Sequence, residues 1–187
     1  FDRIYLFSPS LGTIDDCPFN DLPEDQIYEG LSEEIVEHVL EEIRDSGEKV
    51  LFIMDDVVNS MKKELRLEKL LSKVLMNRRH QCGANGSLSV WITTQVYNKV
   101  PLPVRKCASH LILYETKNRK ELDSMFDEII VGLTKQEWYQ LLKYVYDKKF
   151  NFLYLDTGNT FNKMYHKNFN TLELHTQMDE LTDWEGK

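Results

Sequence analysis

The chain's 187 residues suffice for one domain with a sizeable core, and 42% hydrophobic against 29% charged residues argues for a globular protein rather than a disordered or fibrous one. A net charge of -8 argues against a surface coated in nucleic-acid contacts, although it leaves room for a local basic patch. No apolar run approaches the ~20 residues that a membrane-spanning helix needs, so no membrane is expected.

No signal peptide opens the chain, and its first residue is Phe1 rather than Met, which reads as a fragment or a processed product. Cys17, Cys82 and Cys107 are odd in number, widely spaced and form no CxxC, which indicates reduced thiols in an intracellular setting. The five His residues show no metal-ligand spacing, so no zinc is expected.

Arg3-Ile4-Tyr5-Leu6-Phe7 is rich in β-formers and is stopped by Ser8-Pro9-Ser10, which predicts a strand. Leu11 to Pro23 reads as loop, and Pro23 to Glu29 as one or two helical turns. Ser32 caps a helix whose apolar residues at 35, 36, 39, 40 and 43 form one stripe, and Ser46-Gly47 ends it.

The most informative stretch is Lys49-Val50-Leu51-Phe52-Ile53-Met54-Asp55-Asp56. Five apolar residues run into two carboxylates, the pattern of a buried parallel strand with an acidic pair just past its C-terminal edge. Ligands bind at that edge in open α/β sheets. This is the layout of a Walker B strand, in which one acid serves the Mg²⁺ of a nucleotide and the second serves the attacking water. Asp55 is the metal-side candidate and Asp56 the water-activating one. The plainer alternative is that Asp simply turns the chain or caps the next helix.

Ser60 to Asn77 reads as one helix with Leu65, Leu67, Leu70, Leu71, Val74 and Leu75 on a buried side. Lys62, Arg66, Lys69 and Lys73 recur at helical spacing on another side, in the most basic stretch of the chain. That side is either a solvated helix face or a surface for a DNA phosphate backbone. Arg78-Arg79-His80 closes the helix, and Gln81 to Ser87 is a turn. Leu88 to Thr94 reads as a second buried strand ending at Gln95, followed by a Pro-bearing loop from Val96 to Arg105. Ser109 to Tyr114 reads as a third buried strand. Asn118 to Ile130 and Thr134 to Asp147 read as amphipathic helices, the second on a Thr134/Glu137 capping box. Asn151 to Asp156 is a last strand, with a closing strand or tail from Gly158. Strand-helix alternation of this kind predicts an α/β fold with a mainly parallel sheet flanked by helices, in a single domain over residues 1–187.

The ordered set of Asp55-Asp56, Asn77-Arg78-Arg79-His80, Thr94-Gln95 and Val100-Pro101-Leu102-Pro103-Val104-Arg105 resembles the viral genome-packaging ATPases of the FtsK–HerA type. Tyr5 to Ser10 looks like that family's second core strand, and Tyr165 to Phe169 like its C-terminal end. The resemblance implies a RecA-like core of the ASCE P-loop NTPase class, using ATP and Mg²⁺. It implies that Asp55 serves Mg²⁺, Asp56 polarises the attacking water and Gln95 senses the γ-phosphate. Arg79 would be an arginine finger toward a neighbouring subunit, with Arg78 and Arg105 as further candidates.

The family's G-x-x-x-x-G-K-[ST] phosphate loop is missing, since none of the eight Gly residues begins one. The chain therefore reads as the part after the P-loop strand and helix, and is not expected to bind ATP by the usual route on its own. The implied whole is a homo-oligomeric ring that pumps double-stranded DNA into a capsid. It would work in the host cytoplasm or a viral factory, with capsid proteins as partners and virion association as an option. The alternatives are a plasmid or cellular FtsK–HerA translocase and a non-catalytic assembly or binding module.

Overall fold

The computed structural model describes residues 1–10, 19 and 21–174, the side chains of residues 62 and 63 excepted. Most of the expected Leu11–Pro23 loop, Cys17 and the side chain of Lys62 thus lie outside the described residues. The chain forms two compact units, Phe1–Cys107 and Ala108–Lys187.

The first unit carries a four-stranded, wholly parallel sheet. Its strands are β1 (Arg3–Phe7), β2 (Ile27–Tyr28), β3 (Lys49–Asp55) and β4 (Ser87–Thr93), in the order β2-β1-β3-β4. β3 is buried from Val50 to Met54, as its unbroken apolar run requires for a strand paired on both sides. Tyr5, Phe7, Val50, Phe52, Met54 and Leu88 form one face of the sheet. They share a core with α1 (Glu33–Ile43), α2 (Val58–Lys63), α3 (Leu65–Met76) and α4 (Leu102–Arg105). The Phe52 ring meets Tyr5 and Phe7 edge-on, with centroids 5.7 and 5.3 Å away. On the opposite face Leu6, Leu51 and Ile53 pack against Ile4, Phe19 and Leu22 among the described residues.

The local signals hold where they rest on caps and stripes. The Ser32 side chain accepts a hydrogen bond from Ile35 N, and Val36, Val39 and Ile43 are buried. Other expectations are corrected. Pro23 to Glu29 gives a single 3-10 turn, Glu24–Gln26, and then the short strand β2, whose pairing with β1 outweighs local helix preference. The expected helix from Ser60 to Asn77 is two helices, because Glu64 adopts an extended conformation (φ -119°, ψ 101°) between them. Leu65, expected inside, is 64% exposed at the start of α3. The Pro-bearing loop contains α4, with Pro101 as its N-cap and Pro103 in its first turn, where a missing N–H costs nothing. Among the described residues β4 lies at the edge of its sheet and is not buried as expected, and Trp91 on it is 59% exposed. At its start Gly86 has no room for a side chain: a Cβ there would sit 2.5 Å from Cys82 Cβ and 2.7 Å from the Glu48 carbonyl oxygen.

The second unit departs from the parallel expectation. β5 (His110–Tyr114), β6 (Phe152–Asp156), β7 (Tyr165–Lys167) and β8 (Asn170–Thr171) form an antiparallel sheet in chain order. Two eleven-residue helices, α5 (Arg119–Ile129) and α6 (Lys135–Val145), join β5 to β6. A single crossover helix returns the chain for a parallel strand, whereas a pair brings it back for an antiparallel one. β5 is not buried throughout: Leu113 is inside, while Ile112 and Tyr114 are 50% and 59% exposed. The polar, aromatic stretch after Gly158 supplies a short helix, α7 (Phe161–Met164), and then β7 and β8. The buried hydroxyl of Tyr146 donates to the Leu113 carbonyl at 2.8 Å, and burial pushes its pKa up.

Two outcomes follow for stability. Phe52→Ala removes a fully buried ring from the centre of the parallel sheet and should cost about 3–5 kcal/mol in urea denaturation, as large-to-small core changes do. In the second unit the Lys135 ammonium, 2.5 Å from Asp123, holds that carboxyl below its usual range, and the Thr134 backbone N–H does so for Glu137. Lys167, 2.7 Å from Asp147, acts likewise. A depressed folded pKa stabilises above the unfolded value, about 4 for these groups, and that gain is lost as pH falls through the folded value. The thermal midpoint should therefore fall from pH 5 toward pH 3, and Glu137→Gln should flatten that acid slope; an unchanged slope would remove Glu137 from the account.

Candidate functional site

The acidic pair stands where the buried strand predicts. Asp55 is the last residue of β3 and lies opposite Thr93, the last residue of β4. Phe7, the last residue of β1, lies opposite Met54, so Ser8 follows at the level of Asp55. Three strand ends thus meet at one edge, the C-terminal edge at which α/β sheets bind ligands.

Both oxygens of the Asp55 carboxylate are engaged there. The Ser8 hydroxyl donates to Oδ2 at 3.0 Å, and the Thr93 hydroxyl donates to Oδ1. Ser8 is fully buried. The register puts Ser8, Asp55 and Thr93 on the same face of the sheet as Ile53 and the exposed Trp91. Sequence reasoning treated Ser8 as a strand stop and Thr93 as strand filler; only the parallel register reveals them as partners of Asp55.

Asp56 is different. Its backbone N–H donates to the Thr93 carbonyl at 3.3 Å, one more rung beyond the strand pair. Its φ is +49°, in the left-handed region that non-glycine residues seldom occupy. That conformation breaks the strand and lets α2 begin at Val58. The Asp56 side chain is half-buried at the same edge.

Gln95 lies exposed two residues beyond the end of β4, past a turn in which Thr94 Oγ1 and Val96 bond each other at 3.2 Å. The turn Tyr97–Lys99 follows and packs against α2, so this loop belongs to the acidic edge. Arg105 is anchored in it. Its guanidinium donates to Asn98 Oδ1 at 3.0 Å and stacks over the Tyr97 ring at 4.6 Å.

Arg79 is not brought to Asp55 within the chain. It sits exposed in the turn Arg78–His80, which leads through Cys82 into the start of β4. The Cys82 carbonyl accepts from Gly47 N at 2.7 Å, ahead of β3. Asp55 lies six residues further along β3 from Lys49, about 20 Å at the rise of a strand. Arg78 half-buries and bonds back to the Leu75 carbonyl at 3.3 Å. Arg66, Lys69 and Lys73 are all exposed on α3, away from its buried Leu67, Leu71 and Val74. Lys62 belongs to the separate helix α2, so the basic row is not one continuous helical face as expected.

Among the described residues no three His, Cys, Asp or Glu side chains gather as a metal cage. The edge fits the other mode of cation binding. Mg²⁺ keeps several waters and takes one or two protein carboxylates plus substrate phosphates, and the donors here are hard oxygens of Asp55 and Asp56.

No protein-family model and no curated protein matches the sequence. The fold is a mixed α/β one, with a four-stranded parallel sheet covered by helices and an acidic pair at its C-terminal edge. A solved structure has the same fold: the genome packaging NTPase B204 from Sulfolobus turreted icosahedral virus 2, in complex with AMP. It superposes with a TM-score of 0.57 at 16% sequence identity, over 92% of this chain and 84% of that one.

One outcome tests the strain at the site. Asp56→Gly relieves a left-handed backbone and should raise stability by about 0.5–1 kcal/mol in urea denaturation, while removing the second carboxylate. A loss of stability would mean that the Asp56 carboxylate is itself a structural contact.

Proposed function

We propose that the protein is the ATPase core of a motor that drives double-stranded viral DNA into a capsid, of the RecA-like, FtsK–HerA type. The observation that carries this reading is the acidic pair Asp55-Asp56 at the C-terminal end of a buried parallel strand, on a fold shared with a viral packaging NTPase. That neighbour's bound AMP supports ATP as the nucleotide.

In this reading Asp55 holds the nucleotide's Mg²⁺, which when bound neutralises charge on the phosphates. Asp56, standing free of the Ser8–Thr93 pair, orients and activates the attacking water. Gln95 is placed on an exposed loop from which its amide can bond both a phosphate oxygen and that water. Arg79 acts in trans as the finger, because it is exposed and its turn leads to the far end of the strands. That geometry suits a homo-oligomeric ring with hydrolysis between subunits. Arg105 is the weaker choice, since Asn98 and Tyr97 hold it within its own loop. The exposed row Arg66, Lys69 and Lys73 is the DNA-facing element, in a lumen where a local patch suffices despite the net charge of -8. Capsid proteins are the further partners, and the host cytoplasm or viral factory is the place of action.

The reading requires a phosphate-binding loop that these 187 residues do not contain. That same feature favours the second reading, a non-catalytic assembly module; a plasmid or cellular DNA translocase shares the machinery of the first. ATP hydrolysis by the natural full-length protein, with and without double-stranded DNA, separates them. DNA-stimulated turnover that falls at least a hundredfold in Asp56→Asn is expected, in line with the contribution of a general base. A folded, oligomeric protein with no turnover would leave the module reading in front.

A further inference from the structure

We propose that Ser8 and Thr93 are positioning residues for Asp55, and that they set how tightly the site holds a divalent cation with its nucleotide. This rests on the ATPase reading and goes beyond it, since it assigns roles to two side chains outside the acidic pair.

The geometry is specific. Ser8 and Thr93 come from the ends of β1 and β4, the two strands that flank β3. Each donates to a different oxygen of one carboxylate, so rotation about the Asp55 side chain breaks at least one bond. A carboxylate has about four acceptor positions, and two of them remain for waters or a cation.

The Ser8 hydroxyl is itself fixed. It has one proton, given to Asp55, so the 3.2 Å contact with Ser10 Oγ is one in which Ser10 donates. The Ser10 backbone N–H also donates to Ser8 Oγ, at 3.4 Å. A chain of donors therefore runs from Ser10 through Ser8 to Asp55, and full burial shields the Ser8 link from water. Such outer partners orient a ligand to metal and typically account for 10–100-fold in metal affinity.

A purely structural role would tie strand ends together and nothing more. The two roles separate in a binding measurement on the full-length natural protein. Mn²⁺ stands in for Mg²⁺ and is titrated in the presence of ADP, with free Mn²⁺ read by electron paramagnetic resonance. Ser8→Ala and Thr93→Val should each weaken Mn²⁺ binding about tenfold, with metal-free ADP affinity unchanged. Thr93 is exposed among the described residues, so Thr93→Val should keep the wild-type unfolding midpoint even if Ser8→Ala does not. Asp55→Asn sets the floor, and adding Thr93→Val to it should weaken binding no further. Wild-type Mn²⁺ affinity in a folded Thr93→Val protein, or a full extra loss on top of Asp55→Asn, overturns the proposal alone. A folded wild-type protein that binds neither ADP nor Mn²⁺ with ADP overturns it together with the ATPase reading.

Discussion

The parallel pairing of β3 with β1 on one side and β4 on the other is the constraint from which the rest of the first unit follows. It buries Val50 to Met54 completely, supplies backbone partners on both edges of a strand that could not be solvated, and forces three strand ends to one level. The site is a consequence of that register. A slip of one residue would turn Asp55 to the face occupied by Phe52 and Met54 and separate it from both hydroxyls.

The two carboxylates, adjacent in sequence, end in unlike surroundings. Asp55 is still in the strand and is gripped from both neighbours. Asp56 is past it, in a left-handed conformation that swings the chain toward α2. Strained backbone at such a point persists when the surroundings over-determine it, and here the last β3–β4 rung and the buried start of α2 do so. One carboxylate is thus fixed by hydroxyls from both neighbouring strands, while the other is placed by the backbone turn that follows the strand.

Several features were legible in the residues alone because their cause is local. The apolar run of β3, the Ser32 cap, the Thr134/Glu137 box and the stripes of α1, α3 and α6 each depend on neighbours within a few positions. The acidic pair was legible for the same reason. What failed depended on distant pairing. β2 reads as helix until β1 is beside it, and β4 and β5 read as buried, although among the described residues each lies at the edge of its sheet. The second sheet reads as a continuation of the first because HLILY has the composition of a buried strand, although only Leu113 is buried in it.

The sequence by itself determined that Lys49 to Asp55 is a buried strand, that its C-terminal end carries the acids and that an α/β fold results, since hydrophobic periodicity and turn chemistry act over short spans. Only the tertiary structure decided what Asp55 touches. Ser8 and Thr93 are 47 and 38 positions away from it, and nothing in their local sequence marks them. Their selection is a matter of register, and register is set by burial of whole strands against one another rather than by any residue's own preference.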